Sequence, residues 1–430
     1  MADSADSADS GLAPSPYRAL SHSGFRWYLL SMVAAALASE VQSVAVGWQI
    51  YQLTGDPLSL GLIGLAGAVP FLSTVLFAGH FADIYDRRWI CLLALGALLV
   101  CTSTLMVLSA TGVVSTHHWL IYGVVMAASL ARSVLTPARG ALVSEVVPRE
   151  WFEAATRMRT ACFQLGQVFG RSGSGFIYAA GIALGSGAAF SYAVSGGLLL
   201  VALAGMIALR HQPAPREVAA APVLTSLASG LRHVTGQRVL FGAMLLDFIG
   251  VLFGDAIVLL PIFADKVLAM GPEGLGILRA APAAGALAMA VLLTHLPPFR
   301  HAGRALLLGM AGFGLSMVGF GLSTSFWLSL ALLTFSGAMD YISVMVRSTL
   351  VQVLTPRHLL GRVTAVQHIF IGAGNEIGAF ESGLAARLMG LVPSVVFGGL
   401  VTLGVVGAVA RWNPELRRLG ALRGDEAKSA

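Results

Sequence analysis

Twelve stretches of about 20 apolar residues run through this chain, and each is long enough to cross the roughly 30 Å hydrocarbon core of a bilayer as a helix. They lie near 27–50, 58–80, 89–110, 118–138, 158–181, 187–209, 239–262, 273–295, 304–322, 326–348, 363–388 and 391–412. Lipid offers backbone groups no water, so helices satisfy their own hydrogen bonds and are the default spanning structure. The composition agrees: 56% of the 430 residues are hydrophobic and 11% are charged, against about 25% charged in soluble proteins. The 50 glycines suit helices that pack backbone to backbone.

The charges mark the sides. Arginines recur at every second connection: Arg87 and Arg88; Arg149 and Arg157; Arg210, Arg216, Arg232 and Arg238; Arg300 and Arg304; Arg357 and Arg362; then Arg417 and Arg418 after the last span. The alternate connections are nearly bare, Lys266 excepted. The positive-inside rule therefore places both ends in the cytoplasm and the spans in the inner cell membrane. The +6 net charge reflects these loops; no basic stripe with interleaved aromatics points to nucleic acid. Cys91, Cys101 and Cys162 sit in apolar runs without metal or disulfide spacing and read as buried thiols. Ala-Asp-Ser repeats between Ala2 and Ser10, ahead of Pro14 and Pro16, give a polar start with no basic n-region, so a disordered tail is expected and not a signal peptide.

The segment from Arg139 returns 208 residues later. Arg139, Leu142, Val143, Pro148, Arg149, Thr156, Gly166, Gly170 and Gly175 match Arg347, Leu350, Val351, Pro356, Arg357, Thr364, Gly374, Gly378 and Gly383. With six spans between the copies, both cross in the same direction, which is a parallel repeat about an axis along the membrane normal. The expectation is an all-α membrane protein with a tail over 1–25, a six-helix lobe over 26–209, a polar linker over 210–238, a second lobe over 239–412 and a tail over 413–430.

Three motifs resemble the major facilitator superfamily. Gly79-His80-Phe81-Ala82-Asp83-Ile84-Tyr85-Asp86-Arg87-Arg88 is similar to its signature loop; Gly166, Gly170 and Gly175 are similar to its glycine-rich antiporter motif in the fifth span. The stretch Asp340–Arg347, the following Val-Leu-Thr-Pro-Arg and Gly374-Asn375-Glu376-Ile377-Gly378 resemble the enterobactin-exporter-like branch. The resemblance covers about Arg26 to Arg418 and implies two pseudo-symmetric six-helix lobes and proton-driven export of siderophores, drugs or similar amphipathic molecules. Three positions depart from the pattern: Ile84 stands for arginine, Asp86 for glycine and Arg171 for proline.

Ionisable groups within spans are costly and mark function or paired structure. Here they are Glu40, Arg132, Arg171, Asp247, Asp255, Arg279, Asp340, Arg347, Glu376 and Glu381. The resemblance implies that the first, fourth, seventh and tenth spans line the cavity, which selects Glu40, Asp255 and Asp247 as proton-coupling candidates against the alternative of structural ion pairs. Asp83 and Arg87 are candidates for a latch on access states, or else a topological anchor. Arg132 and Asp340 share a repeat position and are candidates for a gate across the lobes. Arg139 and Arg347, two turns further on along the same faces, either add to that gate or mark the cytoplasmic boundary, the second being the favoured reading. Arg171 has Glu376, Glu381 or an anionic substrate group as possible partners. Trp48, Gln49, Gln52, Phe248 and Tyr341, with Arg171 and Glu376, are candidates for a cavity lining, the alternative being packing and interface anchoring. The glycine ladders, with Ser174 and Ser382, read as close helix contacts.

No metalloprotease, nucleophile-elbow, paired-aspartyl or P-loop pattern occurs, so no enzyme, cofactor, metal site or ATP hydrolysis is implied. The expected partners are a small molecule, the lipid bilayer and protons, and the expected state is a monomer. An uptake permease and a non-transporting receptor of the same fold are the alternatives.

Overall fold

The computed structural model describes residues 18–209, 223–297 and 299–420, without the side chains of Arg18, 75–84, Arg149 and 223–226. The expected tails and linker therefore lie partly outside the described residues, as does the Asp83 side chain.

The first half holds α1 (Ser23–Thr54), α2 (Pro57–Ile84), α3 (Arg87–Ala110), α4 (Trp119–Val146), α5 (Phe152–Ala183) and α6 (Ala188–Ala208). Residues 223–236, expected to be polar connection, form the helix α7 (Val223–Gly236). Then come α8 (Arg238–Gly254), the short turn α9 (Leu260–Ile262), α10 (Gly271–His295), α11 (Ala302–Leu322), α12 (Phe326–Leu354), α13 (Leu360–Met389), α14 (Leu391–Trp412) and the short α15 (Pro414–Arg418). Among the described residues ten helical segments are long and apolar enough to cross a membrane. The remaining two of the expected spans, α5 and α13, are 32 and 30 residues long but more polar. Their packing explains the difference: α5 lies against α10 and α13 against α2, so each helix turns one face to the opposite lobe and not to lipid.

Within the first lobe α1 packs on α5 and α6, and α4 on α2 and α3; in the second, α8 packs on α13 and α14, and α12 on α10 and α11. Small residues one turn apart make these contacts close. Gly166 and Gly170 on α5 face Val33, Leu37 and Glu40 of α1, while Gly374 and Gly378 on α13 face Phe248 and Leu252 of α8. The lobes meet through two related seams. Gly61 of α2 abuts Gly383 of α13, and Gly276 of α10 abuts Gly175 of α5. A Cβ at Gly383 would come within 2.6 Å of the Gly61 Cα, so only glycine permits this approach. Both seams lie toward the end of the bundle away from the termini, the distal end, where Asp56 and Arg387 also pair at 3.3 Å across the lobes.

Two local irregularities have readable causes. Asp86, which departs from the signature loop, caps α3: its carboxylate accepts the amides of Arg88 at 2.8 Å and Trp89 at 3.4 Å. The expected continuous seventh span is broken after Gly254, where Asp255 is extended and accepts the Ile257 amide at 3.0 Å. Ser382 on α13 donates to the freed Asp255 carbonyl at 3.0 Å. Broken backbone at membrane depth is tolerated where partners of this kind satisfy it.

Candidate functional site

A cavity of about 220 Å³ lies where the two seams converge, lined from both lobes. α1 contributes Ser43 and Gly47, one turn apart on one face; α2 contributes Gly64, the break after α8 contributes Asp255, α10 contributes Arg279, and α13 contributes Asn375 and Glu376. A second, smaller cavity of about 120 Å³ adjoins it, sharing Asp255, Ile257 and Asn375 and reaching Asp340.

The charges in and around these cavities come from six helices and the break after α8. Glu40, one turn before Ser43, pairs with Arg171 of α5 at 3.2 Å (Oε2 to Nε). Arg171 also donates to Gln167 Oε1 at 3.1 Å. Arg279 donates from Nη2 to Ser43 Oγ at 3.1 Å, and its Nε is buried without a hydrogen-bond partner. Glu376 and Glu40 lie within electrostatic reach of Arg132, and Asp255 within reach of Arg171, Arg279 and Asp340. Glu376 fits beside α2 because Gly67 has no side chain to meet its carboxylate. Isolated charges at membrane depth are expensive, so such a set is sustained by mutual attraction and a wet or polar cavity.

The sequence candidates divide accordingly. Glu40, Asp255, Arg132, Arg171, Asp340 and Glu376 gather around the two cavities. Arg132 lies within electrostatic reach of Glu376 and Glu40, and Asp340 within reach of Asp255; Arg132 and Asp340 are not within ion-pair distance of each other among the described residues. Arg171 is paired within its own lobe and not with Glu376 or Glu381. Asp247, 5% exposed, is ion-paired with Arg347, 2% exposed, inside the second lobe. Arg347 is thus a buried structural cation instead of a boundary marker, because α8 supplies an acid opposite it. Its counterpart Arg139 lies over the Phe163 ring, 5.7 Å from the centroid.

Of the seven lining candidates, four of the five uncharged ones make definite contacts elsewhere. Trp48 packs edge-on against Tyr51 and Tyr178. Gln49 is buried in the first lobe, donating to Ser109 at 2.9 Å and accepting from Tyr192 at 2.8 Å. Gln52, at the distal end of α1, accepts from Tyr178 at 2.9 Å. Phe248 packs edge-on against Phe370 and lies beside Gly374. Tyr341 is half-buried next to Asp340 on α12. Arg87 pairs with Glu145 of α4 at 2.8 Å.

Arg279, Ser43 and Asn375 line the cavity without having been candidates. Arg279 sits on α10, outside the four spans to which the resemblance draws attention. A signal was available: Pro57-Leu58-Ser59-Leu60-Gly61 and Pro272-Glu273-Gly274-Leu275-Gly276 share proline, leucine and glycine at a second fixed offset, which places Arg279 opposite Gly64.

Known proteins share this architecture. The enterobactin exporter EntS of Shigella boydii serotype 18 is 27% identical over 393 residues, covering 90% of this chain and 91% of that protein. EntS of Escherichia coli O139:H28 matches to the same extent, 27% over 393 residues. Among solved structures, an inward-facing, unoccupied bacterial homologue of the human lysosomal transporter Spinster superposes with a TM-score of 0.70 at 14% identity, covering 95% of this chain and 99% of that one. The peptide transporter POT in complex with sulfate superposes with a TM-score of 0.73 at 11% identity, covering 93% and 96%. These structures share the fold. The family described as transmembrane secretion effector matches residues 14–425, and the chain therefore belongs to that family: it is a multi-pass membrane transporter of the major facilitator type.

Proposed function

We propose that this protein exports a small amphipathic molecule, such as a siderophore or a drug, across the inner membrane by alternating access coupled to protons. The observation that carries the reading is the central cavity, built from both lobes and lined by Asp255, Glu376 and Arg279, with the Glu40–Arg171 pair nearby. Rocking of one lobe against the other about the glycine seams would expose it to each side in turn. Export is favoured by the likeness to enterobactin exporters over 90% of the chain. Glu40 and Asp255 are the coupling residues in this reading: Asp255 lines the cavity at the break after α8, Glu40 lies one turn before the lining residue Ser43, and each is within electrostatic reach of Arg279. The arginine-rich alternate loops put both termini in the cytoplasm, so the distal seams lie on the outer side. All twelve expected spans cross the membrane in this reading, with one face of α5 and of α13 covered by the opposite lobe.

The test is accumulation of a panel of siderophores and cationic, neutral and anionic drugs in cells with and without the gene, repeated with a protonophore. Export predicts lower intracellular levels of at least one compound when the protein is present, and loss of that difference with the protonophore. Unchanged levels across the panel would count against export. Higher levels with the protein would favour uptake.

A further inference from the structure

The chain carries two repeat registers, and their mismatch locates a subsite. α4 and α5 return as α12 and α13 after 208 residues, while α1 and α2 return as α8 and α10 after 215, pairing Leu37 with Leu252, Glu40 with Asp255, Pro57 with Pro272 and Gly61 with Gly276. The packing obeys both registers: Gly170 lies against Leu37 as Gly378 lies against Leu252, and Gly383 meets Gly61 as Gly175 meets Gly276. One turn from the glycine contacts the symmetry breaks. Gly64 of α2 is packed against Ala379 of α13. The same operation carries Gly64 onto Arg279 and Ala379 onto Arg171. Where one seam is sealed by a glycine and an alanine, the other holds two guanidinium groups, one from each lobe, within electrostatic reach of each other.

Like charges across a seam repel unless an anion lies between them. α1 serves the two arginines unequally. Glu40 pairs with Arg171, whereas Ser43, one turn on, offers Arg279 a neutral hydroxyl. Among the described residues no carboxylate lies within ion-pair distance of Arg279, and its Nε has no partner. Asp255 is in electrostatic reach of both arginines, with one oxygen committed to the Ile257 amide. Glu376 and Asp340, the other nearby acids, lie within electrostatic reach of Arg132 and Asp255 respectively.

We propose that Arg171 and Arg279 form one anion subsite that spans the lobes, takes the carboxylate or sulfonate of an amphipathic organic anion, and is held by Glu40 when no cargo is bound. The cargo anion replaces Glu40 on Arg171 and bridges to Arg279. Guanidinium groups suit this role because they donate paired, charge-assisted hydrogen bonds to such groups. Since the donors belong to different lobes, full binding free energy is realised only when the seam is closed, so the ligand biases access states through differential affinity. The subsite rests on the cavity being the cargo site and names the cargo's chemical class.

The test is fluorescence anisotropy on the purified full chain with two xanthene dyes, the anion carboxyfluorescein and the cation rhodamine 123. The wild type should bind carboxyfluorescein, and Arg279→Gln should weaken that binding roughly tenfold or more, the scale of a lost charge-assisted hydrogen bond. Rhodamine 123 should be held no more weakly by this variant, which also reports that it is folded. Arg279→Lys should retain part of the affinity, and Glu40→Gln should bind the anion more tightly. Adding Arg171→Gln to Arg279→Gln should cost little more, because both arginines hold one anion. Wild-type protein that does not bind carboxyfluorescein, or equal loss of both dyes in Arg279→Gln, overturns the subsite. If either occurs while the accumulation assay shows export, the transport reading stands and the subsite falls; the anion-selective effect without export in cells leaves the reverse.

Discussion

Glu40 of α1 and Arg171 of α5 form an ion pair at 3.2 Å within one lobe, beside the cavity that both lobes share. Arg171 occupies the position where the superfamily's motif has a helix-bending proline, one residue past Gly170 in the ladder that brings α5 against α1. The glycine makes the close approach, and the approach puts the guanidinium within reach of the acid.

Arg171→Gln therefore leaves Glu40 without its counter-ion. It is expected to lower stability by about 1–3 kcal/mol and to abolish transport, while the double variant Glu40→Gln/Arg171→Gln regains stability but not transport. Thermal unfolding in detergent and accumulation of the cargo measure the two effects; a double variant no more stable than Arg171→Gln would contradict the pair's structural share.

The buried Asp247–Arg347 pair gives a different expectation. Arg347→Ala leaves an unpaired carboxylate inside the second lobe and should cost about 3–5 kcal/mol, whereas Asp247→Leu with Arg347→Met should cost much less. Melting temperatures of the three variants decide it, and a double variant as unstable as Arg347→Ala would show that the pair is not the reason.

The seams make access states sensitive to a single methyl group. In Gly383→Ala the new Cβ meets the α2 backbone at Gly61, and overpacking of this kind costs about 1–3 kcal/mol. The expected outcome is a population shift toward states with the distal ends apart, read as a longer distance between spin labels on Gln52 and Met389. An unchanged distance distribution would mean that the seam yields locally.

Arg132 offers a choice between partners. Its electrostatic neighbours are Glu376 and Glu40, so transport lost in Arg132→Glu should be restored in part by Glu376→Arg. Restoration by Asp340→Arg instead would support a gate between the two residues of equal repeat position.

Much of this protein is legible in the chain. Apolar runs of bilayer length set the class, because lipid admits no unpaired backbone, and the Arg139 and Arg347 copies set two lobes, because a repeat across six spans must run in parallel. The ionisable residues of the spans could be enumerated in advance since each is conspicuous against an apolar background. Which of them meet could not. Gln49 and Trp48 resemble a cavity lining in sequence, yet the rotation of α1 turns them into the lobe core and presents Ser43 and Gly47 to the cavity. The break at Asp255 was not legible because Gly-Asp only weakens a helix, and the break is stable only where a neighbour distant in sequence, here Ser382, takes up the freed carbonyl.

By itself, then, the sequence determined a helical membrane protein of two related lobes and the inventory of charges it carries. Tertiary structure alone decided the pairing: Arg171 with Glu40, Arg347 with Asp247, Arg279 with a hydroxyl. The reason is that hydropathy and repeats are properties of a single helix read along its axis, whereas an ion pair depends on the rotation and separation of two helices. Those are set by glycine contacts such as Gly170 on α1 and Gly175 on Gly276.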